Sequence, residues 1–459
     1  MNTLYLLQVG QNLADVRQSL DTPLVPRLMG LVGMGAILAA AWGLSVNRRK
    51  VPWRLVGLGL GLQALFGFLV LKTGVGRTLF RGANAAFTQL LGFSEQGARF
   101  IFGNLVANNV PVGIAQGAPA DGSVLTTGAL WANTGAFFAF SVLPTIIFFA
   151  SLTSVLYHLG VMQWVVRGIA WAMQRVMGTS GAETLSVAGN IFVGQTEAPL
   201  LVKPFIGRMT SSELHTVMVG GFATIAGGVM AAYVAMLTPY FADIAGHLLT
   251  ASVMNAPAAL LISKILVPEI EQPVTSDAMA VRVERDAANV IDAAAGGAAQ
   301  GLKLALNVAA MLLAFVALIA LINAVLAWAG GLIGLPRLSM EYVLGLILRV
   351  PAFLMGVPWA EAGIVGSLIG VKAVLTEFIA YLQLAGILAE PGALSPRASV
   401  IAIYALLGFA NFPSIAIQIG GIGGIAPERR GDLSRLGLRA MIGGNLAAFL
   451  SASLAGMLL

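Results

Sequence analysis

Hydrophobic positions along this chain fall into long uncharged runs separated by short charged or mixed segments. Leu28 to Val46, Leu55 to about Leu71, Trp131 to Tyr157 and Leu214 to about Ala242 are the runs of the first half, with Leu248 to Ile262 closing it. Leu304 to about Leu332, Val400 to Ile419 and Ala440 to Leu459 follow in the second. A helix needs about 20 predominantly apolar residues to cross the hydrocarbon layer. These runs therefore predict about eight transmembrane helices.

Between them the pattern is mixed. From Arg77 to about Val110, Arg81, Glu95 and Arg99 interrupt Phe80, Phe87, Leu90, Leu91, Phe93 and Phe100. That mixture predicts an amphipathic helix at the membrane interface. The segments carrying Arg167 and Arg175, and Arg337, Glu341 and Arg349, are of the same kind. Gly117 to Gly122, with Pro119 and Asp121, reads as a loop, and the charged stretch Pro268 to Asp292 as a cytoplasmic linker between two halves.

Composition agrees. The 459 residues are 58% hydrophobic and 10% charged, with mean hydropathy +0.87, against about 25% charged in soluble domains. A backbone in lipid must satisfy its polar groups internally, so the fold class is an all-α polytopic membrane protein. The 55 glycines suit close helix packing and discontinuous helices. The absence of cysteine excludes a disulfide framework and thiol chemistry. His158, His215 and His247 lie far apart and form no metalloprotease motif, so structural or interfacial roles are expected for them.

The net charge of +6 comes mostly from basic residues at the ends of apolar runs, which reads as topology and not as a nucleic-acid surface. The cluster Arg48, Arg49, Lys50 and Arg54 after the first run should face the cytoplasm. The N-terminus is then outside, and so is the C-terminus, because the closing run follows the basic loop Arg429, Arg430, Arg435 and Arg439. The residues through Arg27 lack a basic start followed by a small-residue cleavage site, which argues against a cleaved signal peptide.

Two segments place acids where lipid or protein is expected. The first, Gly189 to Pro199, contains Asn190, Gln195, Thr196 and Glu197; the second, Gly366 to Tyr381, contains Lys372, Thr376 and Glu377. Neither has an apolar run long enough to span, so both are expected to be re-entrant hairpins. An acid at bilayer depth costs roughly 2.5–3.5 kcal/mol and usually faces a cavity or partner. Each hairpin is followed by an interrupted span with a shared core: Gly221-Phe222-Ala223-Thr224 in one, Gly408-Phe409-Ala410-Asn411 in the other. Inverted repeats with helices broken near the midplane are a common plan of secondary transporters. A plainer alternative pairs Glu197 with Lys203 and Glu377 with Lys372 as structural ion pairs. Asn190, Thr224 and Ser414 would then be packing hydrogen bonds and the breaks mere kinks.

Gly194-Gln195-Thr196-Glu197-Ala198-Pro199, the Gly-x-Lys-x-x-x-x-Glu-Phe-x-Ala-Tyr pattern at 370–381 and Gly408-Phe409-Ala410-Asn411-Phe412-x-Ser414 closely resemble the concentrative nucleoside transporter family. The likeness runs from the first span to Leu459. It implies a bacterial-type homotrimer in the inner membrane, each protomer importing nucleoside with a cation by an elevator-like shift against a scaffold that includes the span from Leu304. It implies no enzyme activity and no cofactor. By the same resemblance, Gln195, Thr196 and Glu197 would recognise the base, Glu377, Asn411 and Ser414 the ribose, and Phe409 would supply an apolar wall. Sodium would be held by the side chains of Asn190 and Thr224 with the carbonyls of Val193 and Ile225. Protons remain the alternative coupling ion, and a nucleobase the alternative solute.

Two departures bear on the ribose side: Thr376 stands where the family commonly has Asn, and Pro413 where it commonly has a small hydroxyl residue. The resulting division is 1–130 as N-terminal scaffold, 131–176 as the third span with an interfacial segment, 177–267 as the first repeat, 268–300 as linker, 301–350 as scaffold span with an interfacial segment, and 351–459 as the second repeat.

Overall fold

The computed structural model describes residues 24–107, 109–111, 131–133, 138–273, 275, 287–335, 337–390 and 392–458. The expected loop at Gly117 to Gly122, and most of the charged part of the linker, lie outside the described residues.

Apolar runs become helices because only a helix closes its own backbone hydrogen bonds in lipid. Helix α1 is Leu24–Gly43, α2 is Trp53–Lys72 and α3 is Gly74–Phe102, the last being the amphipathic helix expected from Arg77 onward. Helix α4, Leu143–His158, is preceded by a wider π turn at Phe138–Val142, and α5 spans Val161–Met177. The third span is therefore shorter than its apolar run. Trp131–Asn133, read as the start of that span, instead pairs antiparallel with Asn109–Pro111 as a two-stranded ribbon. Uncharged composition alone does not separate a short strand from the first turns of a span.

Two blocks follow that share one plan. In the first, α6 (Gly181–Gly189), a turn over 190–197, a 3-10 turn (Ala198–Val202) and α7 (Lys203–Ile206) make a hairpin too short to cross. Helices α8 (Ser211–Ala223) and α9 (Gly227–Leu237) form one span broken at 224–226, and α10 (Ile244–Leu266) completes the block. In the second, the hairpin is α13 (Ala362–Val374) and α14 (Glu377–Leu388), turning at Leu375 and Thr376. The broken span is α15 (Pro396–Leu406) and α16 (Phe412–Ile425), and the closing helix is α17 (Arg430–Leu458). Between the blocks lie α11 (Val290–Leu332), which begins well before the apolar run it contains, and α12 (Met340–Leu354).

Seven helical stretches are long and apolar enough to cross a membrane among the described residues. The α15–α16 pair supplies an eighth in two pieces. The chain is an all-α polytopic membrane protein.

Packing follows the blocks. Helix α1 lies along α17 and α2 along α10, whereas α11 lies along α4. The interior separates into two apolar cores. One gathers Val229, Tyr233, Leu248, Leu368, Phe378 and Ile403 from α9, α13, α14, α15 and the first half of α10. The other gathers Val187, Leu214, Phe222, Leu261, Leu433 and Leu450 from α6, α8, the second half of α10 and α17. The helix breaks fall between these cores, where unwound backbone meets polar side chains.

The near ends of α6 and α8 are braced by charge. Both begin with capping boxes, Ser180 with Glu183 and Thr210 with Glu213. Each satisfies two of the otherwise unpaired N–H groups of a first turn. Ser180 Oγ also donates to Glu213 Oε1 at 2.5 Å, and Lys264 Nζ from α10 reaches Glu183 Oε2 at 2.7 Å, both carboxylates being buried.

Candidate functional site

The turn of the first hairpin carries Gln195 into the interior. Its Nε2 donates to Ser414 Oγ (3.2 Å), and its Oε1 accepts from Gln418 Nε2 (3.0 Å), which also donates to the Met218 carbonyl. Gly221 of α8 permits this approach. A Cβ there would stand 2.8 Å from Gln418 Nε2 and 2.9 Å from Gln195 Cβ. Thr196 is half-buried against Gly421 of α16, and Glu197 is exposed at the turn. Gln195 and Thr196 thus both meet the second repeat, while Glu197 is left exposed at the turn.

Glu377 opens α14 and is buried. Its Oε1 accepts from Tyr233 Oη at 2.9 Å and its Oε2 from Asn411 Nδ2 at 2.7 Å. A carboxylate has about four lone-pair directions, so two donors orient it and leave room for more. Asn411 serves twice, because its Oδ1 caps α16 by accepting from Ser414 N at 2.9 Å. Phe409, half-buried, lies in the unwound stretch beside Gly408, whose φ of +108° only glycine adopts readily. A Cβ at Gly408 would also strike the backbone of Phe222 and Ala223.

The two breaks touch. Phe409 N donates to the Thr224 carbonyl (3.4 Å), and Gly227 N donates to the Phe192 carbonyl (2.9 Å). The first break is thereby joined both to the second break and to the hairpin turn. Asn190, Val193, Thr224 and Ile225 are all buried along this seam. Asn190 Nδ2 donates to the Ser186 carbonyl, whereas Asn190 Oδ1 is buried and has no hydrogen-bond partner among the described residues. Thr224 Oγ1 donates to the Gly220 carbonyl, which leaves its lone pairs available. A buried amide oxygen without a donor is costly, and all-oxygen surroundings suit a hard alkali cation. These residues fit a sodium ion.

The structural ion pairs weighed as the plainer alternative do not form. Glu197 and Lys203 are both exposed, with no ion pair between them among the described residues. Lys372 Nζ instead donates to the carbonyls of Ala405 (3.0 Å) and Leu407 (3.2 Å). It thereby satisfies acceptors left by the end of α15, as buried carbonyls require. The two departures from the family pattern have local explanations. Thr376 is the N-cap of α14, accepting from Ile379 N. Pro413 lies at the start of α16, where its missing N–H would be unpaired in any case.

Sequence reasoning missed Tyr233, because a tyrosine in an apolar run looks like core. It missed Gln418 as well, although that glutamine interrupts an apolar run.

The chain matches three family models. Residues 32–105 and 247–456 match the N-terminal and C-terminal parts of the Na+ dependent nucleoside transporter, and 139–240 match a nucleoside-recognition (Gate) model. The transporter YutK of Bacillus subtilis is 45% identical over 432 residues, covering 94% of this chain and 99% of that protein. The chain belongs to the concentrative nucleoside transporter family. Sodium/nucleoside cotransporter 1 of Rattus norvegicus is 41% identical over 454 residues, which are 96% of this chain and 65% of that protein. The chain thus spans just under two thirds of the length of such mammalian relatives. The structure of CNTnw in an inward-facing, substrate-bound state aligns with TM-score 0.82 at 42% identity, covering 94% of this chain and 97% of that one. An outward-facing CNTnw variant aligns with TM-score 0.84. These relatives are transporters, not enzymes, and with its apolar helices the chain is a multi-pass membrane protein.

Proposed function

We propose that this chain imports nucleosides by symport with sodium, and that it does so without catalysing a reaction on them. The observation that carries the reading is the doubly held carboxylate of Glu377. A sugar presents two neighbouring hydroxyls, and an oriented, buried carboxylate flanked by an amide accepts from both. Ser414 extends that polar surface to Gln195, whose amide offers one donor and one acceptor to a base edge. Thr196 and Glu197 would complete base recognition from the open side of the hairpin turn, and Phe409 would pack against the substrate. Asn190 and Thr224, with the carbonyls of Val193 and Ile225, would carry the sodium. The contact between the two breaks supplies the route by which ion and nucleoside favour one another's binding.

Transport by an elevator shift requires a unit that carries both sites and a unit that stays. The two repeats form the moving unit in this reading, and α1 and α2 belong with it because they pack along α17 and α10. That differs from the sequence-based expectation that all of 1–130 is scaffold. Helix α11 with α4 is the fixed part. Its outer face shows Leu306, Leu313, Leu321 and Trp328, all strongly exposed, and we assign this face to a homotrimer seam. The protein would reside in a bacterial inner membrane, with both termini outside the cytoplasm.

The test of substrate class is competition. Radiolabelled uridine uptake by the reconstituted protein should fall on addition of unlabelled uridine or adenosine and hold in the presence of uracil. Competition by uracil as strong as by uridine would reject a site built for ribose.

A further inference from the structure

The closing helix of each repeat sends one buried asparagine to the same place in its own broken span. Asn255 Nδ2 of α10 donates to the Ala223 carbonyl at 2.6 Å, and Asn445 Nδ2 of α17 donates to the Ala410 carbonyl at 2.9 Å. Ala223 and Ala410 are the third residues of the two Gly-Phe-Ala-polar segments, so the fourth residue in each case is the one assigned to a ligand: Thr224 or Asn411. Both carbonyls belong to broken helices and lack the partners that a continuing helix would provide. Each Asn is buried, and in each the amide oxygen has no hydrogen-bond partner among the described residues. Packing alone does not explain two buried amides that each leave half of their capacity unused.

Their surroundings differ in a useful way. On α10, Ser252 lies three residues before Asn255 and so on the same face, and its Oγ donates to the Ile191 carbonyl at 3.1 Å. One face of α10 therefore grips the residue after Asn190 and the residue before Thr224, the two side chains assigned to the cation. On α17, Asn445 Nδ2 donates to the Met441 carbonyl one turn back in its own helix (3.3 Å) and, across to the broken span, grips the segment leading to Asn411, which orients Glu377.

We infer that Asn255 and Asn445 are paired positioning residues, Asn255 fixing the backbone of the sodium site and Asn445 fixing that of the ribose site. Each acts by holding an orphan carbonyl, so that the adjacent side chain keeps its direction while the helix remains unwound. The inference rests on the ion and nucleoside assignments proposed above. It adds that the two sites have separate supports, although the breaks touch one another.

The experiment is a pair of titrations on proteoliposomes containing the full chain: uridine uptake against sodium at saturating uridine, and against uridine at saturating sodium. Sodium-induced thermal stabilisation of the purified protein provides a binding readout apart from transport. Asn255→Ala should raise half-saturating sodium at least fivefold and shrink the thermal shift, with the uridine KM changed less than twofold. Asn445→Ala should do the converse, raising the uridine KM at least fivefold while the sodium response holds. Should either alanine variant fail to reconstitute, Asn255→Ser or Asn445→Ser, which keeps a shorter donor, should show the same split in smaller degree. Equal shifts of both constants in both variants, or a fall in maximal rate alone, would overturn the inference and leave only a structural role. A wild type whose uptake and melting temperature ignore sodium would defeat the ion assignment and the Asn255 half with it, and the uridine titration of Asn445→Ala would still decide the other half.

Discussion

At Asn411 one side chain does two jobs that sequence alone does not connect. Its oxygen caps α16 and its nitrogen holds Glu377, so the start of a helix and the orientation of a carboxylate are one arrangement. Tyr233 is the other half of that hold, and its removal isolates the carboxylate's contribution with little change of shape. A hydrogen bond to a charged group is worth about 1.5–3 kcal/mol. Tyr233→Phe should therefore raise the uridine KM by roughly tenfold or more and, because the same bond holds the buried carboxylate in the empty protein, lower the melting temperature as well, as measured by uptake and by thermal unfolding in detergent. Motif residues such as Gln195, Glu377 and Asn411 were legible in the sequence because polar residues in an apolar run stand out. Tyr233, Asn255 and Asn445 were not, since their importance lies in which carbonyl or carboxylate they meet across 30 or more residues of chain.

Among the elements, the hairpins and broken spans were readable from the shortness of their apolar runs and from their glycines. The exact places of the breaks were less so. Gly227-Gly228 and Pro413 look like the interruptions, yet each stands at the start of the helix that follows, and the unwound residues are 224–226 and 407–411. Glycine and proline are compatible with a helix's first turn, so their presence marks a boundary without saying on which side it falls. Lysines left an alternative open for a similar reason. Proximity in sequence suggested Lys372 with Glu377, whereas Lys372 caps α15, and a buried ion pair among the described residues is Lys264 with Glu183. Removing one member of a buried pair strands the other and costs about 3–5 kcal/mol. Lys264→Met should lower the melting temperature markedly, and Lys264→Met combined with Glu183→Gln should recover much of the loss. Independent, additive losses would show that the pair does not act as one unit.

On the scale of the whole molecule, the eight-span plan and the two-repeat order follow from hydropathy and from a four-residue echo between the halves. What hydropathy does not encode is the division into two apolar cores with polar backbone between them, because that depends on which faces of α9, α10 and α17 turn inward. The same holds for α11, whose outward leucines suit either lipid or another copy of the chain. If that face is a seam, native mass spectrometry from nanodiscs should give three copies, and Leu313→Trp with Leu321→Trp should shift the population toward single chains. A single-chain mass for the wild type would assign the face to lipid.

In the proposed cycle a nucleoside and a sodium ion cross together through the two linked breaks. That cycle is tested most directly by radiolabelled uridine accumulation in proteoliposomes under an inward sodium gradient, a proton gradient, or neither. Accumulation above equilibrium with sodium alone, abolished in Glu377→Ala and weakened in Asn190→Ala, is the predicted result. Accumulation driven only by protons would contradict the ion assignment at Asn190 and Thr224, and no uridine uptake under any gradient would contradict the account as a whole.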